Sequence, residues 1–142
     1  MNAAKRGNVR RLHFENLEDR RLLAGNVTAV KIGATLFITG DDASNAIEIR
    51  AANPATPGDG NVLVTGLVDN DPASNQPTSV NGVLLISQPF SGIQNLNIDM
   101  KGGNDSVDID APLTLKDLTA KMGAGNDRFS INGIFPTAFV TF

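Results

Sequence analysis

Most of the chemistry this chain could offer lies in two short runs 22 residues apart: Gly102-Gly103-Asn104-Asp105-Ser106 and Gly123-Ala124-Gly125-Asn126-Asp127. Glycine admits backbone conformations closed to other residues, and Asn and Asp add short side chains that bond nearby backbone. A set of this kind suits tight turns, caps and cation sites. A fainter version, Asp41-Asp42-Ala43-Ser44-Asn45, places Ser44-Asn45 60 residues before Asn104-Asp105. Other reactive constellations lack their members. The chain has no Cys and a single His, His13. That removes a Cys nucleophile and any two-His zinc centre, and leaves one candidate for a Ser–His pair. Met100 and Met122 occupy equivalent places in the two runs and read as core residues rather than ligands.

Strands must position these turns. Leu96 and Ile98 precede the first run, and Val107 and Ile109 follow it; Leu118, Ala120, Phe129 and Ile131 do the same for the second. Leu36, Ile38, Ile47 and Ile49 repeat the pattern around the fainter turn. Apolar alternation by two on either side of a turn reads as strand, turn, strand. The gapless period of 22 predicts an all-β fold of solenoid-like repeats, a parallel β-helix or β-roll. Leu96, Leu118 and Val140 would then form one column, Ile109 and Ile131 another, and Asp105 and Asp127 a column of turns. A run of antiparallel hairpins yields the same pattern without stacking, so an antiparallel β-sandwich is the alternative. The first half reads as antiparallel excursions that cap the stack. One hairpin turns at Gly33-Ala34 and another at Asn81-Gly82; residues 53–60 read as a loop, 69–79 as a surface loop, and Val83-Leu84-Leu85-Ile86 as a strand-sized apolar run.

Charge divides the chain in two. Residues 1–25 hold six basic and three acidic residues, giving +3; residues 26–142 hold six basic and twelve acidic, giving -6. Eleven of those twelve acids are Asp, the residue of turns rather than of a mixed solvated surface. A body of that charge does not suit nucleic acid, which asks for a basic patch. No stretch approaches the roughly 20 apolar residues of a membrane-spanning helix. The expected division is a leader at 1–25, either disordered or with a short helix over 16–24, and a β-repeat domain at 26–142 that stops midway through a further unit.

Two resemblances bear on function. The run Phe14-Glu15-Asn16-Leu17-Glu18-Asp19-Arg20-Arg21-Leu22-Leu23-Ala24 resembles the N-terminal motif of planctomycete extracellular proteins, F-E-x-L-E-x-R-x-L-L and a small residue. The resemblance implies export to the cell surface or beyond, and implies nothing about activity. Gly123 to Phe129 resembles the calcium-binding nonapeptide of RTX-type repeats, G-G-x-G-N-D-x-apolar, and Gly102 to Val107 is a shorter version. It implies calcium held by Asp105 and Asp127 with help from Asn104, Asn126 and nearby carbonyls, and with Asp41, Asp42 and Asn45 at weaker corresponding positions. Calcium takes 6–8 oxygen ligands, so such turns are chemically apt. A period of 22 departs from the nine-residue RTX tandem, however, and Gly-Asn-Asp also serves simply to make a turn.

The expected function is a non-catalytic extracellular or cell-surface module with a structural or adhesive role. Its expected partners are surface polysaccharide or neighbouring β-repeat modules. The alternative is part of a calcium-dependent polysaccharide-active β-helix enzyme, for which the body's six basic residues are few and scattered.

Overall fold

A computed structural model describes residues 25–69, 75–110, 112–132 and 139–141. Among these residues there are strands and no helix. β1 (Asn26–Ile32) and β2 (Thr35–Thr39) form a hairpin about Gly33-Ala34. β3 (Ala46–Ala51) and β4 (Val62–Gly66) pair antiparallel across the loop at 52–61. β5 (Ser79–Val80) and β6 (Val83–Leu84) close on Asn81-Gly82, where both residues have positive φ, 51° and 78°. That is the backbone the two-residue hairpin turn demands. After β7 (Gln88–Phe90) come β8 (Asn95–Asp99), β9 (Ser106–Asp110), β10 (Asp117–Lys121), β11 (Arg128–Asn132) and β12 (Phe139–Thr141).

These strands make two mixed sheets. One runs β12-β10-β8-β2-β1-β5-β6, the other β11-β9-β3-β4-β7. β2, β8 and β10 lie parallel and in register: Leu36 pairs with Leu96 and Leu96 with Leu118, while Ile38 pairs with Ile98 and Ile98 with Ala120. β12 continues the row, with Val140 opposite Leu118. In the second sheet Ile47, Val107 and Phe129 form one parallel row, and Ile49, Ile109 and Ile131 another. The period of 22 and the fainter offset of 60 are therefore both real strand registers, and the strands from Asn95 to Asn132 do not pair as hairpins. Two mixed sheets on a shared core remain compatible with a flattened solenoid and with a sandwich.

Alternation supplies the core. Val27, Leu36, Ile38, Ile47, Ile49, Leu96, Ile98, Met100, Val107, Ile109 and Leu118 are fully buried between the sheets, and Met122, Phe129 and Ile131 pack against them at the last rung. Met100 is thus a core residue, and Met122 is a half-buried one at the core's edge. On the far side of β2 and β3 the excursions cover the stack: β1, β5 and β6 extend one sheet, β4 and β7 the other, and all of these pairings are antiparallel except β1 with β5, which is parallel.

Two expectations need correction. The 69–79 segment is not all surface. Asp69 and Thr78 are buried, and the Thr78 hydroxyl accepts the Ala46 N–H at 2.8 Å. The run at 83–86 is a strand only over Val83–Leu84; Leu85 takes a φ of 54° and Leu84, Leu85 and Ile86 are exposed. The helix expected over 16–24 lies outside the described residues.

Candidate functional site

Three turns of six residues, 40–45, 100–105 and 122–127, carry the chain from the first sheet to the second and stack along one edge. Equal length lets each residue sit beside its counterpart in the next turn. The backbones approach so closely that side chains are excluded at particular places. A β-carbon on Gly125, at φ 144°, would collide with the carbonyl of Gly103, and one on Gly103, at φ 105°, with that of Ala43. The Gly in each run is required by its neighbour as well as by its own dihedrals.

Two lines of side-chain bonds tie the turns together. On the inner line, the Asn45 N–H donates to Asp105 Oδ1 at 2.9 Å, and the Asp105 N–H donates to Asp127 Oδ1 at 3.1 Å. On the outer line, the Asn104 N–H donates to Ser44 Oγ at 3.2 Å, and the Asn126 N–H to Asn104 Oδ1 at 3.0 Å. Side chains of all three turns therefore bond the backbone of a neighbouring rung, while Asp41 and Asn45 also bond backbone of their own turn, as the simple turn-forming reading has it.

Asn45 is the hub that sequence reasoning underrated. It is fully buried, and its amide donates to Ala43 O at 2.7 Å and Asp41 Oδ1 at 3.1 Å. Its match to Asp105 at offset 60 was the available signal. Asp41 also accepts the Asn26 and Ala43 N–H groups, at 2.8 and 3.1 Å, which anchors β1 to the turn.

Of the six sequence-derived candidates, the structure gathers Asp41, Asn104, Asp105, Asn126 and Asp127 in the column. Asp42 stands exposed beside Gly102 and takes no part in these bonds. Asp105 is the most constrained. It is 1% exposed, its Oδ2 has no hydrogen-bond partner, and Asn45 Oδ1 likewise has none. Burial pushes the Asp105 carboxyl up to about 6; the Asn45 donors oppose that rise, and the negative charges of Asp127 and Asp41 add to it. Among the described residues no three His, Cys, Asp or Glu side chains converge as a metal cage. Any cation here would lean on backbone carbonyls and amide oxygens.

A family model described as Planctomycete extracellular matches residues 8–27, the segment that carries the leader motif. The match covers 20 of 142 residues, and no family model supports the likeness of the body's turns to RTX repeats. Neither a curated protein nor a solved structure matches the chain. Among the described residues no helix is long and apolar enough to cross a membrane. The leader match is consistent with an extracellular protein.

Proposed function

We propose that this chain is a non-catalytic extracellular module, its body a short two-sheet parallel solenoid, with a structural or adhesive role at the cell surface and polysaccharide as its partner. The observation that supports this reading is the unbroken register of three rungs whose polar turn groups bond one another. One carboxylate oxygen each of Asp105 and Asp127 and the amide oxygen of Asn104 are engaged in holding rung to rung. The leader match supports the extracellular setting. The test is incubation of the purified chain with acidic and neutral surface polysaccharides in the presence of calcium. Retention of the chain on a polysaccharide without new reducing ends is expected. New reducing ends would replace this reading with the polysaccharide-active enzyme.

Weak calcium binding is a second reading, favoured by the partnerless buried oxygens of Asp105 and Asn45. On that reading a cation relieves the repulsion among Asp41, Asp105 and Asp127, and by binding only the folded form it raises Tm with concentration. A scan at about 10 mM calcium, well above the 10⁻⁴–10⁻³ M range of extracellular modules, decides it. A rise in Tm that Asp105→Asn abolishes supports the ion; an unchanged Tm leaves the rung-to-rung bonds as the whole role of these turns.

A further inference from the structure

The edge opposite the turn column holds a cleft of about 210 Å³. Its walls are the loop at 52–61 and the arcs at 91–94 and 112–116. Backbone bonds fix them: the Ile93 N–H donates to Gly60 O at 2.9 Å, the Thr114 N–H to Pro57 O at 3.2 Å, and the Lys116 N–H to Gln94 O at 2.7 Å. The cleft is therefore formed before anything enters it, which lowers the ordering cost of binding. Gly58, Gly60 and Gly92 leave backbone bare along its lining, while Gln94 and Thr114 bring an amide and a hydroxyl.

Its charge is unlike that of the body. Lys116 lines the cleft, and the Lys31 ammonium lies 3.5 Å from where a β-carbon on Gly92 would stand. Among the described residues the ion pairs are Arg50–Glu48 and Lys101–Asp99, and neither involves Lys31 or Lys116. The one acid in the lining, Asp59, turns both oxygens to its own loop. Oδ1 accepts the Asn61 N–H at 2.8 Å and Oδ2 the Thr56 hydroxyl at 2.9 Å. One lysine in the lining and a second at its Gly92 wall, in a domain of charge -6, favour a small anion over a long polyanion, which would need a basic track. The volume is below the roughly 300–1,000 Å³ of sites for drug-sized ligands, which limits the occupant to about one sugar ring.

We propose that this cleft binds a single carboxylated sugar residue, its carboxylate between Lys31 and Lys116 and its hydroxyls on Gln94 and Thr114. The proposal rests on the adhesive reading above and names the part of the polysaccharide that is recognised. The experiment is a titration of the full chain with glucuronate, followed by amide chemical shifts, beside parallel titrations with glucose and with inorganic phosphate. Glucuronate is expected to move the amides of residues 92–94 and 114–116, glucose to leave them in place, and phosphate to bind more weakly than glucuronate. Lys31→Ala with Lys116→Ala should weaken glucuronate by about tenfold or more, as should added salt. Equal binding of phosphate would mean a plain anion site, and equal binding by the double variant would place the sugar elsewhere; either overturns the proposal. Failure of glucuronate with retention on whole polysaccharide ends this site and leaves the adhesive reading standing. Failure of both ends both.

Discussion

The two lateral edges of the sheets are built on different rules. At the turn edge, three six-residue connections repeat the same conformation, and each needs its neighbour. At the opposite edge the connections differ in length and sequence, from the two residues at 33–34 to the ten at 52–61. The same residue types behave differently in the two places. Gly125 is hemmed in by Gly103, whereas a β-carbon on Gly58 would meet only Thr114 Oγ1, at 3.9 Å. Asp105 is buried, accepts from a residue 60 positions away and has its carboxyl raised to about 6. Asp59 is exposed, accepts from within its own loop and has its carboxyl lowered. Repetition makes each turn residue answerable to a neighbour, while an irregular loop answers mostly to itself.

The sharpest way to break that contrast is one substitution made at both edges. Gly125→Ala forces a β-carbon against the Gly103 carbonyl at a strained φ, and should cost about 2–4 kcal/mol as the last turn lifts off the stack. Gly58→Ala meets open space without a positive φ, and should stay within about 0.5 kcal/mol of the parent. Denaturant unfolding of both variants reads the difference. Similar losses at the two sites would mean that the turn column has no special closeness.

The edges also differ in how legible they were. Strand alternation and the period of 22 announced the row through Leu96 and Leu118, because a column of equivalent inward positions leaves the same mark in every rung. The Asn81-Gly82 hairpin was equally plain, since few sequences accept two successive positive φ values. Asn45 as hub was only half visible, because an amide stands there in place of the carboxylate of the later turns. The cleft left no mark at all. Lys31 and Lys116 are 85 positions apart and belong to no repeat, and only the pairing of the strands brings their arcs to one edge. Thr78 and Asp69 were misplaced for a related reason: polar residues among Pro and Asn read as loop unless the backbone donor they satisfy is known.

A smaller effect tests the cause of the Asp105 displacement. Its carboxyl is raised above the 3.8 of an ordinary Asp, so the folded chain holds the proton more tightly than the unfolded chain. Stability is then full below about pH 4 and falls as pH rises through the window between 3.8 and about 6. Asp105→Asn keeps an acceptor for the Asn45 N–H and removes the buried charge. It should raise stability by about 1–3 kcal/mol at pH 7.5 and by much less at pH 4, flattening the profile between. A gain of the same size at both pH values would show that shape rather than charge was at fault.

The smallest effect belongs to Asp59 and carries the opposite sign. Its carboxylate is favoured first by the Asn61 N–H and then by the Thr56 hydroxyl, so it ionises more readily folded than unfolded. Its contribution is present above the usual Asp value and is lost as pH falls through the lower folded value. Full exposure to solvent keeps that contribution small, because water competes for the same oxygens. Asp59→Asn should therefore lower Tm at pH 7.5 by no more than about 2 °C, and the deficit should vanish under acid conditions where the Asp105→Asn gain has also closed. Thermal scans of the two variants across one pH series give both slopes together. If Asp59→Asn moves Tm as far as Asp105→Asn does, burial is not what separates these two carboxylates, and the distinction between a column residue and a loop residue fails with it.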